Sequence, residues 1–150
     1  MKKFAFRFER LKKLRELERD ISLNAFSTSL QEFMHKEKEY KLMFKRVLNA
    51  RNELNVALEN GSSVDKINTL LNNVYILEGL LKGKRDELYS AYLKAKEDKA
   101  DFLEKDIKRK VMEKIRDQHL RLYLKKLFKE DQSNIDEASS NIRELKRKIT

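Results

Sequence analysis

A chain of 150 residues with no proline, three glycines and 40% charged residues, at a mean hydropathy of -0.77, has the composition of long helices rather than of a globular domain with a broad core. The absence of cysteine excludes disulfides and thiolate metal sites and fits a reducing compartment. No apolar run approaches the roughly 18 residues of a membrane span and residues 1–20 are too charged for a signal peptide, so a soluble cytoplasmic protein without a transmembrane segment is expected.

The helical pattern starts at Phe4. Phe4, Phe8 and Leu11 share one stripe, and Leu14, Leu17 and Ile21 lie slightly rotated from it, which implies local over-winding. From Phe26 the chain reads Phe26, Leu30, Phe33, Glu37, Tyr40, Phe44, Val47, Arg51, Leu54, Leu58, in alternating steps of four and three. Such spacing keeps one stripe against a partner helix as the pair supercoils. Glu37 and Arg51 interrupt the stripe, and polar residues at seam positions fix register. Acid-before-base pairs four residues apart, at Glu9–Lys13, Glu32–Lys36, Glu37–Lys41, Asp101–Lys105, Glu104–Lys108 and Asp106–Lys110, add a few tenths of a kcal/mol each to their helices.

The helical pattern breaks at one cluster of turn formers, Asn60-Gly61-Ser62-Ser63. Gly61 takes a positive φ without penalty, as a helix C′ position requires, and Ser62 or Ser63 accepts a hydrogen bond from the free amides of a following helix. The expected fold is therefore all-α: a long antiparallel two-helix coiled coil, one helical-hairpin domain over 1–150, with helices over about 4–59 and 64–145 joined by a turn at 60–63.

The second helix opens with Val64, Ile67, Leu70, Leu71, Val74, Leu77, Leu80 and Leu81, a stripe wider than a coiled-coil seam needs, whose excess width suits a third partner. Gly79 and Gly83 interrupt it, each costing about 1 kcal/mol of helix propensity relative to alanine. From Leu88 the seam weakens through Tyr92, Ala95 and Phe102 and returns as Leu103, Ile107, Val111 and Ile115. Equal rise in both helices places Phe4 opposite roughly Leu120. The segment 121–150 then overhangs; its Leu124, Leu127, Ile135, Ile142, Leu145 and Ile149 at helical spacing meet another chain, fold back, or fray when alone.

No Gly-rich phosphate loop, cysteine nucleophile or Ser/His/Asp cluster is present, so no catalytic residue, cofactor site or enzymatic activity is expected. Glu32-x-x-His35 is half of a di-metal bundle motif, but the residue three before His119 is Arg116, so no metal site is expected. Basic residues gather in two stretches: Lys2, Lys3, Arg7, Arg10, Lys12, Lys13 and Arg15, and Lys108, Arg109, Lys110, Lys114, Arg116, Arg121, Lys125 and Lys126. An antiparallel hairpin brings them together. With a net charge of +10, that pole reads as a docking surface for an acidic protein, as a solvated face, or as a nonspecific polyanion binder. No specific nucleic-acid binding is expected, because a DNA-binding zipper needs parallel arms. A membrane-surface helix on Phe4, Phe8 and Leu11 is opposed by Glu9, Glu16 and Glu18.

The opening Phe4-Ala5-Phe6-Arg7-Phe8-Glu9-Arg10-Leu11-x-x-Leu14-Arg15-x-x-Glu18 resembles that of the FliJ family, the stalk proteins of the flagellar type III export apparatus. The two long helices and the Lys-rich segment over 103–123 extend the resemblance to nearly the whole chain. It implies a non-enzymatic protein, peripheral at the cytoplasmic face of the inner membrane, whose paired ends sit in the ring of the export ATPase and couple ATP hydrolysis to export. The ring-docking residues would be Arg7, Phe8, Arg10, Leu11, Leu14, Arg15, Arg109, Lys114 and Arg116. Contacts to the cytoplasmic linker of the export gate protein would fall on Asn73, Leu77, Leu80 and Lys84, and export chaperones are further partners the resemblance implies. The alternative is a structural or adaptor coiled coil with no link to export.

Overall fold

The computed structural model describes residues 3–149, and among these every regular element is helical: α1 spans Glu9–Glu59 and α2 spans Val64–Ile149. The two helices pack against each other antiparallel. Their contacts divide into a turn unit, Arg19–Glu104, and a terminal unit that joins the described residues up to Glu18 with those from Lys105 onward.

The reversal is built as its residue types require. Ser62 N–H donates to Ala57 C=O at 3.1 Å and Gly61 N–H to Leu58 C=O at 3.4 Å, the paired bonds of a Schellman motif, which needs a left-handed residue between them. Gly61 supplies it with φ 66°. Of the two serines it is Ser63 that caps α2, its Oγ accepting from Lys66 N–H at 3.4 Å, while Asp65 places a carboxylate in the positive first turn.

In the turn unit the expected 4–3 period holds, but half of its positions sit one residue away from those the apolar pattern picks. α1 buries or half-buries Ser22, Phe26, Ser29, Phe33, Lys36, Tyr40, Met43, Val47, Ala50, Leu54 and Ala57. Leu30, Phe44 and Leu58 are instead exposed, and Arg51 lies outside the seam with its guanidinium on Glu78 at 2.6 Å. The physical reason is distance: Ser29, Ala50 and Ala57, with Ala91 and Ala95 opposite, let the backbones approach, whereas Leu30 or Phe44 in the seam would hold them apart. The hydroxyls of Ser22 and Ser29 are satisfied by the carbonyls of Arg19 and Phe26, at 2.8 and 3.0 Å. Larger rings are accommodated in register as pairs, Phe26 with Phe102 and Phe33 with Tyr92, and salt bridges Lys36–Glu87 and Lys84–Glu39, both 3.1 Å, tie the helices across the flank.

In the terminal unit the first helix starts five residues later than its pattern suggests. Residues 3–6 are not helical, and Glu9 N–H donates to Phe6 C=O at 3.2 Å as the chain turns into α1. Phe4-Ala5-Phe6-Arg7-Phe8 alternates apolar and other residues, and that period of two belongs to extended chain. Extended, it delivers Phe4 to Tyr123 at 5.5 Å and Phe6 to His119 at 5.5 Å between ring centroids, and Phe6 is buried. Phe4 thus lies within a turn of Leu120, as the equal-rise register requires. Of the seam expected to return as Leu103, Ile107, Val111 and Ile115, the first three are exposed and Ile115 is half-buried. The residues facing α1 from 105 onward are Lys105, Arg109, Met112, Arg116, His119 and Tyr123, again at steps of four and three. α2 continues as helix beyond 145 to Ile149.

Gly61→Ala should destabilise the fold by about 1 kcal/mol, the cost of forcing an L side chain into the left-handed region, since no neighbour lies within 4 Å of the added Cβ to add a steric cost. Thermal unfolding followed by circular dichroism measures it, and an unchanged midpoint contradicts the assignment of the turn.

Candidate functional site

Two surfaces stand where the chain's site residues were expected. In the terminal unit, the seam is charged. Lys12 and Arg15 occupy the seam positions of α1 and Arg109 and Arg116 those of α2, all partly withdrawn from solvent. Carboxylates beside them balance the charge: Lys12 Nζ meets Glu16 at 2.9 Å, Arg15 meets Glu18 at 2.9 Å, and Arg109 binds Asp106 at 3.0 Å and also Glu113. Lys110 reaches the other oxygen of Asp106 at 3.0 Å. That hydrogen bond, with those from Arg109, holds the Asp106 carboxyl below the ordinary carboxylate range, outweighing partial desolvation. The Lys12 ammonium is pushed up by its bond to Glu16.

Of the nine residues expected to dock a ring, Arg15, Arg109 and Arg116 therefore serve the hairpin itself. Arg116 stacks its guanidinium 6.0 Å from the Phe4 ring centre. Arg7, Arg10 and Lys114 are exposed, Arg7 lying 5.7 Å from the ring centre of half-exposed Phe8. Leu11 and Leu14 face solvent, joined by Leu17, Ile107 and Val111, which are 50–62% exposed. Leu11, Leu14, Val111 and Ile115 each stand one residue before a seam residue. In an antiparallel pair those positions fall on the same side of both helices, so they form one apolar flank. Lys2, counted with the basic stretch, lies outside the described residues.

Sequence reasoning placed Leu17, Ile107 and Val111 in the packing rather than on this surface. The phase that the structure shows, Phe26 then Ser29, lands on Ser22, Arg19, Arg15 and Lys12 when carried back, whereas the apolar pattern's phase, Phe26 then Leu30, lands on Leu23, Arg19, Glu16 and Lys12.

The second surface belongs to the turn unit. The expected gate residues divide: Leu77 is half-buried in the seam and Lys84 binds Glu39 at 3.1 Å and Glu87 at 3.6 Å, while Asn73 and Leu80 face solvent. The bonds between Lys84, Lys36, Glu39 and Glu87 hold the Glu39 and Glu87 carboxyls below their usual range, the direct bond from Lys84 dominating for Glu39 and that from Lys36 for Glu87. Next to Leu80 on the outer side of α2 lie Tyr75, 80% exposed, Ile76, 61% exposed, and Gly79 and Gly83. Neither glycine has an atom within 4 Å of where a Cβ would stand. Their cost to the helix is thus not repaid by packing inside the chain, which leaves a low strip flanked by two apolar anchors.

Among the described residues, no group of three or more His, Asp or Glu side chains is placed to hold a metal ion. His35 Nε2 rests on Glu39 at 3.0 Å. No helix of the described residues is long and apolar enough to cross a membrane.

Two long helices packed against each other, with apolar side chains left outside the seam, define a two-helix coiled-coil protein. The chain belongs to the FliJ family: the family model described as flagellar FliJ protein matches residues 3–147. It is thereby a component of the flagellar export apparatus. No curated protein and no solved structure matches the chain.

Acidification should expose the role of the paired carboxylates. Their folded-state pKa values are depressed, so the stability they contribute is present above the unfolded value of about 4 and is lost as the pH falls through the folded values. The melting midpoint should hold between about pH 7 and 5 and drop below about 4. In Glu39→Gln/Glu87→Gln/Asp106→Asn the midpoint at pH 7 should be lower and the acid drop smaller; an undiminished drop assigns the acid sensitivity to other groups.

Proposed function

We propose that this chain is a non-enzymatic coupling element of flagellar export, working in the cytoplasm at the inner face of the membrane. Its terminal unit docks in the ring of the export ATPase. The outer side of α2 between Asn73 and Lys84 docks on the cytoplasmic linker of the export gate protein. No bond is made or broken by the chain itself; it carries the consequence of ATP hydrolysis in the ring to the gate by binding both. Export chaperones are further partners in this reading.

The observation that supports the ring half best is the apolar flank of the terminal unit. Leu11, Leu14 and Val111 face solvent on it beside half-buried Ile115, Leu17 and Ile107 are exposed farther round their helices, and Arg7, Arg10 and Lys114 are exposed in the same unit. An apolar side chain left outside while arginine occupies the seam gains nothing in the isolated hairpin; it gains about 2 kcal/mol when a partner covers it. The chemistry of the contact is accordingly a leucine face with a cationic rim, matched to a partner surface with apolar loops and carboxylates. The same division weakens a polyanion-binding reading, since Lys12, Arg15 and Arg109 already bind Glu16, Glu18, Asp106 and Glu113.

For the gate half the support is the exposed group Tyr75, Ile76 and Leu80 beside two glycines that no intramolecular neighbour requires. Leu77 and Lys84 back this surface from the seam, and Asn73 borders it.

Leu11→Ala/Leu14→Ala should leave the helical circular dichroism signal intact and weaken stimulation of the purified export ATPase by more than about tenfold in apparent affinity, two lost leucine contacts being worth at least that. Stimulation at the unmodified concentration dependence removes the leucine face from the ring contact. Ile76→Ala/Leu80→Ala should abolish binding to the purified gate linker and reduce swimming-halo size with ATPase stimulation preserved. Normal linker binding by that variant sinks the gate half alone.

A further inference from the structure

Beyond Tyr123, whose ring pairs with Phe4, α2 runs on as helix to Ile149. On this stretch Leu124, Phe128, Asp131, Ile135, Ala138, Ile142, Leu145 and Ile149 follow one another at steps of four, three, four, three, four, three, four. Each is exposed, Phe128 at 68% and Ile149 at 84%. A surface helix in contact with water has no use for a strict 4–3 apolar stripe about 39 Å long; a helix that pairs with another does. The stripe is also not the hairpin seam carried onward. The seam reaches Arg116, His119 and Tyr123, and the next stripe begins at Leu124, one residue and about 100° round the helix.

The residues that would flank a partner decide what the partner is. The positions bordering the stripe hold Lys125, Gln132, Ser139 and Lys146 on one side and Leu127, Asn134, Asn141 and Lys148 on the other. There is no carboxylate among them; Glu130, Glu137 and Glu144 all stand farther round the helix. A second copy of this chain is therefore a poor occupant. In a parallel pair, Asp131 would face Asp131 of the second copy inside the seam, and no flanking pair would attract. In a fully overlapped antiparallel pair, Lys125 would meet Lys146 of the second copy at both ends. A helix whose own stripe is bordered by glutamate or aspartate, with one lysine or arginine opposite Asp131, meets the flanking lysines with attraction and neutralises the aspartate.

We infer that the C-terminal segment 124–149 is a docking strip for a single amphipathic helix of another protein, acidic along the flanks of its apolar stripe and basic at the position facing Asp131. The strip belongs to the terminal unit but shares no residue with the leucine face proposed for the ring or with the surface proposed for the gate, and its test depends on neither contact.

The test uses the full chain and two synthetic 28-residue helices. Both carry leucine at the stripe positions and one lysine placed against Asp131; one has glutamate at every flanking position, the other lysine. Titration followed by fluorescence anisotropy should show the glutamate-flanked helix binding about tenfold or more tighter at low salt, the sum of a few exposed ion pairs, with the difference shrinking as salt rises. Ile135→Asp/Ile142→Asp should remove binding while the hairpin keeps its melting midpoint. Should that variant disturb folding, Lys125→Glu/Lys148→Glu serves in its place and should reverse the preference between the two helices. Equal affinity for both helices overturns the proposal. So does binding that survives in Ile135→Asp/Ile142→Asp, or concentration-dependent dimerisation of the unmodified chain that this variant abolishes.

Discussion

The close approach of two helices along a 4–3 seam is the constraint from which the other features follow. In the turn unit the seam takes Ser29, Ala50, Ala57, Ala91 and Ala95 among larger members such as Val47 and Leu54, and Phe26 is matched by Phe102. Leu30, Phe44 and Leu58 are left exposed, Arg51 reaches Glu78 from outside the seam, and Lys36, a seam residue, reaches Glu87 across the pair. In the terminal unit the same spacing falls on Lys12, Arg15, Arg109 and Arg116. These long side chains bury their stems and keep their charged ends beside carboxylates at the rim. The apolar residues of that unit are consequently turned outward, and an exposed apolar flank arises from the phase of the repeat rather than from any special fold.

The architecture was plain in the sequence because its two determinants are local. Asn60-Gly61-Ser62-Ser63 is the sole break in the helical pattern, and the chemistry of Gly61 and Ser63 specifies both the motif that ends α1 and the cap that starts α2. The seam itself was half legible. Phe26, Phe33, Tyr40, Val47 and Leu54 were identifiable because they are both apolar and correctly spaced. At the alternate positions, however, hydrophobicity ranks Leu30 above Ser29 and Leu58 above Ala57. Packing chose the smaller neighbour, since a hydroxyl that can bond back to its own helix loses little on burial and an alanine lets the partner come near.

The surfaces were harder to read for the same reason. A charge run looks solvated until the repeat is carried through it, and Arg109 is drawn inward by Asp106 and Glu113 although nothing in its residue type announces that. Phe4 to Phe8 also carries two periods at once: four-residue spacing between Phe4 and Phe8, which reads as helix, and two-residue alternation through Phe6, which reads as extended chain. The decision rests with Tyr123 and His119, more than a hundred residues away in sequence, which hold the rings that the extended form delivers.

The contrast between the two seams has a thermodynamic corollary. A seam of valine, alanine and stacked rings is held by water exclusion, which excluded salts such as sulfate strengthen. In the terminal unit the ion pairs of Lys12, Arg15 and Arg109 close within a single helix, on Glu16, Glu18, Asp106 and Glu113, whereas Lys36–Glu87, Lys84–Glu39 and Arg51–Glu78 cross between the helices in the turn unit. Dissolved salt screens both kinds over a Debye length of about 8 Å at physiological strength. In the turn unit an excluded salt therefore strengthens the apolar seam while screening loosens the ion pairs that cross it. In the terminal unit, screening weakens each helix's own support for its seam cations and equally relieves the repulsion between Lys12 and Arg116, whose like charges oppose one another.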